Sequence, residues 1–279
     1  MAGPSSLGQV VSFLSSLMYD KNMVLADYND EKYDYTKYWE GREYENESEF
    51  IAINKLLPSE FKEGKSVIDV GGGFGRLLPV LKDRFTDITI FDYSQKLLDR
   101  ANSNARNLGI SVKAIKGDVN VISSLVNEKF DFITMVRVSH HLEDLEKVFY
   151  QIKNILKGDG IFILEVANKI HFKSVISNLL RCNFKYFKKD SVSIATKKVT
   201  FLNHHPRNVE DTLEKTGFKI VEKLSVSNFR HPFFKKIIPF GVLVFMEKLM
   251  QKPGSFIYFG PSIFYKVVKK HNAEENLSK

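Results

Sequence analysis

"VIDVGGGFGRLLPVL", residues 67–81, joins an apolar run and an acid to a five-residue window holding four glycines. Val67–Val70 has the composition of a short buried strand, and Arg76–Leu81 reads as the start of a helix. Glycines at 71, 72, 73 and 75 allow positive φ and let a ligand approach the backbone without meeting a Cβ. The helix start adds unpaired N–H groups at the positive end of a dipole. A phosphate loop requires G-x-x-x-x-G-K-[ST], and no Gly-Lys-Ser/Thr occurs in the chain. The dinucleotide spacing G-x-G-x-x-G, counted from Gly71, meets Arg76 where the third glycine belongs. The spacing present is D-x-G-x-G-x-G, from Asp69 to Gly75. An acid before the glycines repels a pyrophosphate and suits a ligand carrying an ammonium group. Packing alone can also call for glycines in a tight turn, so the next strand ends decide the matter.

From Ser66 to Asn168 apolar runs alternate with helical patterns, the signature of parallel βαβ units. The candidate strands are 66–70, 88–92, 111–115, 130–136 and 160–166, with helices expected over 75–84, 94–107 and 142–157. "PRNVEDTLEKTGF" predicts a further helix closed by Gly217, followed by strands in "FKIVEKLSV" and "SIFYKVVKK". Asp92 ends the second strand and Asp118 follows the third. A carboxylate at the first position can accept from two ribose hydroxyls, and one at the second from an adenine amino group. Either acid alone is ordinary as a turn or capping residue. Their order and spacing together are not.

Composition bounds the rest. The 279 residues, 43% hydrophobic with 23 Phe, suffice for one α/β domain with additions or for two small ones. A single cysteine, Cys182, excludes a disulfide framework and Cys-rich zinc sites and fits a reducing compartment. No metal is expected. The N-terminus lacks the cationic stretch of a secretory signal, and the apolar run 237–246 is too short for a bilayer. A cytoplasmic location follows as the expectation. Charge is uneven: residues 1–168 hold 20 Lys/Arg against 25 Asp/Glu, while 169–279 hold 21 against 8, a net of +13. A solvated lysine face accounts for that, as does an acidic, nucleic-acid or membrane-surface partner.

Together, "VIDVGGGFG", "FDYSQKLLDRA", "KGDV", "FDFITMVRVSHHLED" and "LKGDGIFILEVANK" resemble motifs I to V of the class I S-adenosylmethionine (SAM)-dependent methyltransferases, in order. "YWEGREYENESEF" and "HHPRNVEDTLEKTGF" are similar to the small-molecule and quinone-type branch. The resemblance implies a doubly wound, mostly parallel seven-stranded α/β sheet. Residues 1–60 are expected to form a helical N-terminal extension, and 61–279 the methyltransferase domain with insertions at 169–205 and 231–256. It implies SAM as methyl donor, with Gly71, Gly72 and Gly73 under the methionine part and Asp69 near its amino group. Asp92 and Tyr93 then hold the ribose, and Asp118 and Val119 the adenine, while backbone near Arg137 closes the site. Arg137 departs from the small residue common there. Arg42 is a candidate partner of the SAM carboxylate, with Tyr38 and Trp39 beside the sulfonium.

The candidate bases are His140, His141, His204 and His205, each with a structural alternative in loop packing or helix entry. The Asn-Pro-Pro-Tyr loop of adenine and glutamine N-methylation is absent, and one cysteine rules out the two-cysteine chemistry of RNA 5-methylcytosine formation. The first reading is transfer to O, C or N of a small apolar or aromatic acceptor. The alternatives are an RNA methyltransferase using basic 169–205, with Phe184, Tyr186 and Phe187 as stacking surfaces, and a non-catalytic SAM-binding regulator. Both insertions are expected to form a lid, apolar inside and basic outside, with an anionic membrane surface as a further partner.

Overall fold

The computed structural model describes residues 35–60, 63–195 and 200–270. The apolar opening of the N-terminal extension, residues 1–34, lies outside them, as do Lys197 and Lys198 of the basic segment. One sheet carries seven strands: β1 (Ser66–Val70), β2 (Asp87–Asp92), β3 (Lys113–Lys116), β4 (Phe130–Met135), β5 (Leu156–Ala167), β8 (Phe218–Val226) and β9 (Ser262–Lys269). Their spatial order is β3-β2-β1-β4-β5-β9-β8. Neighbours pair in parallel except β9, which runs antiparallel to both β5 and β8. This is the doubly wound arrangement expected, and the strand order reverses between β1 and β4. A separate hairpin, β6 (Val192–Ala195) and β7 (Thr200–Asn203), belongs to the first insertion.

Period-two alternation sorts the strands between two cores. Ile133, Phe162, Leu164 and Tyr265 point to the face covered by α5 (Leu145–Ile155) and α7 (Pro206–Lys215). Phe132, Ile163 and Phe264 point to the other. There they meet α1 (Glu43–Leu56), α2 (Leu78–Leu81) and α3 (Gln95–Asn107). The helix expected over 75–84 is therefore only four residues long. Gly71, Gly73 and Gly75 all hold positive φ, and the last keeps the chain in turns until Leu78. The N–H groups of Gly71 and Gly72 donate to the Phe91 carbonyl, that of Gly73 to Asp92 and that of Gly75 to the Gly72 carbonyl, so they fix the shape of the turn.

The two insertions part ways. Residues 169–205 rise from the C-terminal end of β5 as α6 (Phe172–Leu180) and the hairpin, and Phe201 of β7 packs on the loop after β4. Residues 231–256 form α8 (Pro232–Ile237) and α9 (Phe240–Phe256). α9 lies on α1 and β8 instead of over the strand ends, contrary to the expected lid. Polar complementarity places it. The Tyr44 hydroxyl donates to Glu247 Oε2 at 2.6 Å, Gln251 Nε2 to the Ser48 carbonyl at 2.8 Å, and Lys55 Nζ to the Lys248 carbonyl at 2.7 Å. Tyr44 Oη also accepts from Phe229 N–H at 2.9 Å.

Burial pushes both the Tyr44 phenol and the Glu247 carboxyl above their ordinary values, which keeps the phenol a donor. Tyr44→Phe strands the Phe229 N–H and removes a donor from Glu247. It is expected to cost about 1–3 kcal/mol of unfolding free energy, read by urea denaturation, with ligand affinity unchanged.

Candidate functional site

The sequence-predicted residues converge on one edge. Gly71–Gly73 follow β1, Asp92 ends β2 with Tyr93 just beyond it, Asp118 and Val119 follow β3, and Arg137–His141 follow β4. Because these strands are parallel, all four loops leave from the C-terminal side, and the first and last meet at the reversal point. A Cβ on Gly71 would stand 2.2 Å from Val138 Cγ2, so the β1 and β4 loops touch there. A Cβ on Gly72 would stand 2.7 Å from Asp69 Oδ2.

Asp69 lies beneath this loop and is fully enclosed. Its neighbour across the β1–β4 ladder is Thr134, whose hydroxyl donates to Oδ1 at 2.6 Å. Oδ2 has no protein partner. Burial dominates and raises the carboxyl to about 7, although Thr134 and Arg76 oppose the shift. Asp92 bridges the two loops: Gly73 N–H donates to Oδ2 at 2.9 Å and Ser94 N–H to Oδ1 at 2.8 Å. Burial raises it too, against those N–H donors. Tyr93 is exposed. Asp118 caps the 3-10 turn Val119–Val121, accepting from the Asn120 N–H at 2.9 Å.

Arg137 holds φ 65°, unusual for a residue with a side chain. Glu165 on β5 secures that backbone by accepting Arg137 N–H at 3.0 Å, and is itself held by Ser262 at 2.6 Å. The guanidinium reaches Glu49 of α1 with Nε at 2.8 Å and with NH2, and the Tyr38 hydroxyl at 3.1 Å. Arg76 grips the other Glu49 oxygen at 2.6 Å and stacks over Trp39 at 4.1 Å. Burial opposes the Glu49 charge, yet Arg137 and Arg76 outweigh it and hold the carboxyl below its ordinary value. Arg42 lies over the Tyr38 ring at 4.2 Å. Sequence reading missed Glu49 and Glu165. A glutamate on the buried stripe of α1, between Tyr44–Ser48 and Ala52–Ile53, was the available signal.

The histidines divide. The His140 and His141 rings lie 4.1 Å apart, tilted by 48°, and Phe201 closes on them at 5.1 and 5.4 Å. Burial lowers both, His141 to about 4 and His140 well below its ordinary range, so both are neutral at pH 7. His204 donates from Nε2 to the Ser139 carbonyl at 2.9 Å, which leaves Nδ1 to accept from the Ser191 hydroxyl at 2.9 Å. His205 caps α7, its Nδ1 accepting from Arg207 N–H at 3.3 Å. A cleft of about 610 Å³ between α1 and α3 lies apart, lined by Trp39, Phe50, Phe74 and Phe240, and none of the convergent acids borders it. Among the described residues no cluster of His, Cys, Asp and Glu is suited to a metal ion.

A methyltransferase-domain family profile matches residues 38–223. The chain belongs to the class I SAM-dependent methyltransferases. SAM is its methyl donor. An uncharacterized Methanocaldococcus jannaschii protein is 28% identical over 216 residues, 70% of this chain and 77% of that one. A ubiquinone biosynthesis O-methyltransferase of Actinobacillus pleuropneumoniae is 29% identical over 110 residues, 38% of this chain and 47% of that one. The chain thus spans less than half of the ubiquinone enzyme's length. The fold is that of a SAM-dependent methyltransferase from Clostridium acetobutylicum, with TM-score 0.55, 16% identity, and 96% and 100% of the two chains covered. A magnesium protoporphyrin IX methyltransferase from Synechocystis with bound SAH has TM-score 0.54, 15% identity, and 87% and 91% coverage.

The methyltransferase carries a pH signature in Asp69. Folding holds a proton on this carboxyl up to about pH 7, whereas the unfolded chain releases it near 3.8. Between those values the folded state binds more protons, so this group's contribution to stability falls as pH rises. Asp69→Asn removes that dependence. The stability of wild type relative to the variant is expected to decline from pH 4 to 7 in urea titrations, and a constant difference would refute it.

Proposed function

We propose that this methyltransferase transfers a methyl group from SAM to O, C or N of a small, apolar or aromatic acceptor beside hairpin β6–β7. One observation carries the acceptor class: Phe201 from the insertion closes on the neutral rings of His140 and His141 at the site edge. An uncharged aromatic wall suits a flat apolar acceptor better than a phosphodiester. The RNA reading asks Phe184, Tyr186 and Phe187 to stack on bases. Tyr186 instead donates to the Lys169 carbonyl at 2.7 Å and meets Phe187 edge-on at 5.9 Å, which leaves Phe184 as the exposed ring of the three.

The loop residues fit the donor. Gly71 and Gly72 let the loop close on Val138 and Asp69, where a Cβ would clash, and the partnerless Asp69 Oδ2 suits the SAM ammonium. Asp92, with Tyr93 beside it, takes the ribose hydroxyls on lone pairs left by Gly73 and Ser94. Asp118 and the Val119 N–H read the adenine. The Arg137 backbone bounds the methionine end, with Arg42 and Tyr38 on the side of the SAM carboxylate.

SAM supplies an electrophilic methyl on a sulfonium. The protein's part is chiefly alignment, a contribution of roughly 7–11 kcal/mol when reactants are well placed. An imidazole whose cation is penalised by burial is a poor proton sink. His140 and His141 therefore serve as acceptor wall and hydrogen-bond acceptors, and an acidic acceptor such as a phenol releases its proton to solvent before its oxygen takes the methyl and SAH departs. His204 holds the β4 loop to the hairpin, and His205 starts α7.

Among the described residues no helix is long and apolar enough to cross a membrane. We place the protein in the cytoplasm with peripheral membrane contact, where apolar acceptors partition. Asp92→Ala is expected to weaken SAM and SAH binding by about 1–3 kcal/mol in calorimetry, and unchanged affinity in a folded variant sinks the ribose assignment. Incubation with labelled SAM and cell extract should place label in the lipid-soluble fraction. Label in RNA overturns the acceptor class.

A further inference from the structure

Helix α9 is amphipathic in the reversed sense. Toward α1 and β8 it presents Glu247 and Gln251, both fully buried, with Gly254 and Ser255. Toward solvent it presents Val242, Phe245, Leu249 and Phe256, exposed by 50%, 60%, 61% and 69%. Steps of three, four and seven residues place these four on one stripe. Phe233 and Ile237 of α8 and Ile257 beyond α9 add exposed apolar side chains at both ends. α6 repeats the feature: none of its residues is buried, and Phe172, Ile176, Leu179 and Leu180 share an exposed stripe. The two regions are joined. Phe172 stacks on Phe259 at 4.8 Å and donates its N–H to the Phe259 carbonyl at 3.0 Å.

A monomer rarely exposes this much contiguous apolar surface without a partner for it. The partner's chemistry follows from the flanks. Lys173 on α6, Lys236 on α8 and Lys248 and Lys252 on α9 are exposed around the stripes. Aromatic and aliphatic side chains framed by lysines are the pattern of a helix lying in a bilayer interface. A second copy of the chain would set one lysine-rich surface against another, within a segment of net charge +13. Anionic headgroups would neutralise it.

We infer that α8, the outward stripe of α9 and the exposed stripe of α6 form a docking face for an anionic lipid bilayer. The inference rests on the lipophilic-acceptor reading for its biological sense, but the face can be tested with no acceptor present. α6 rises from the C-terminal edge of the sheet, so docking brings that edge toward the lipid.

Flotation of the full chain with phosphatidylcholine vesicles, with and without phosphatidylserine, is the test. The protein is expected to float with the phosphatidylserine vesicles, less so as salt screens the lysines. Phe245→Glu with Leu249→Glu should reduce the bound fraction at least about tenfold, since two apolar side chains no longer enter the lipid. SAM affinity of the double variant should equal that of wild type, which certifies its fold. The inference is overturned if wild type stays with the aqueous fraction or if the double variant floats equally well. A lipid-independent dimer that the double variant abolishes also overturns it, because a second copy then covers the face. Vesicle binding with labelled methyl found only in RNA leaves the face standing and removes the acceptor reading.

Discussion

The arrangement of the site depends on one fully buried carboxylate. Glu49 of α1 takes Arg76 from the turn after the glycine loop on one oxygen and Arg137 from the loop after β4 on the other. Three segments far apart in sequence are thereby locked at the point where the strand order reverses. A buried charge group of this kind is costly to desolvate and severe to break, because losing Glu49 leaves two guanidiniums uncompensated in the interior. Its value is positional. Arg137 sits in a left-handed backbone conformation that few side-chain-bearing residues adopt, and Glu49 on its side chain with Glu165 on its N–H holds it there.

The same constraint explains why the N-terminal helix belongs to the core. Ala52, Ile53 and Leu56 of α1 pack with Leu78, Leu98 and Phe264, while its polar positions bond outward from that contact to Arg76, Arg137 and α9. Helix α9 is recruited by hydrogen bonds more than by apolar burial. Its Glu247 is satisfied by Tyr44, the Ser227 and Asn228 N–H groups and the Asn228 side chain. With Glu247 and Gln251 turned inward beside Leu243, the side chains of Val242, Phe245, Leu249 and Phe256 are left on the outside.

At the sheet edge, burial shifts five of the titratable groups in a consistent direction. Asp69 and Asp92 are raised and His140, His141 and His204 are lowered, so the surroundings of the site disfavour charge on both kinds of side chain. Such an environment penalises any charge that enters without a counter-charge, since the interior solvates it poorly.

Much of this was legible in the sequence because it is local. Strand alternation, the D-x-G-x-G-x-G turn and acids closing successive strands depend on near neighbours, and β1, β2, α3, α7 and β8 lie within a residue or two of their expected bounds. Even the short α2 has a local cause in Gly75, whose φ of 77° a one-letter pattern does not reveal. What only the tertiary structure decided is which way amphipathic segments face and whom buried charges meet. A stripe of Val242, Phe245, Leu249 and Phe256 has the same period whether it lines a core or lies outside one. Only the polar partners offered by α1, some two hundred residues earlier in the chain, turn it outward. The bond between Glu49 and Arg137, 88 residues apart, has no sequence period at all, because such contacts are set by the folded path and not by the spacing along it.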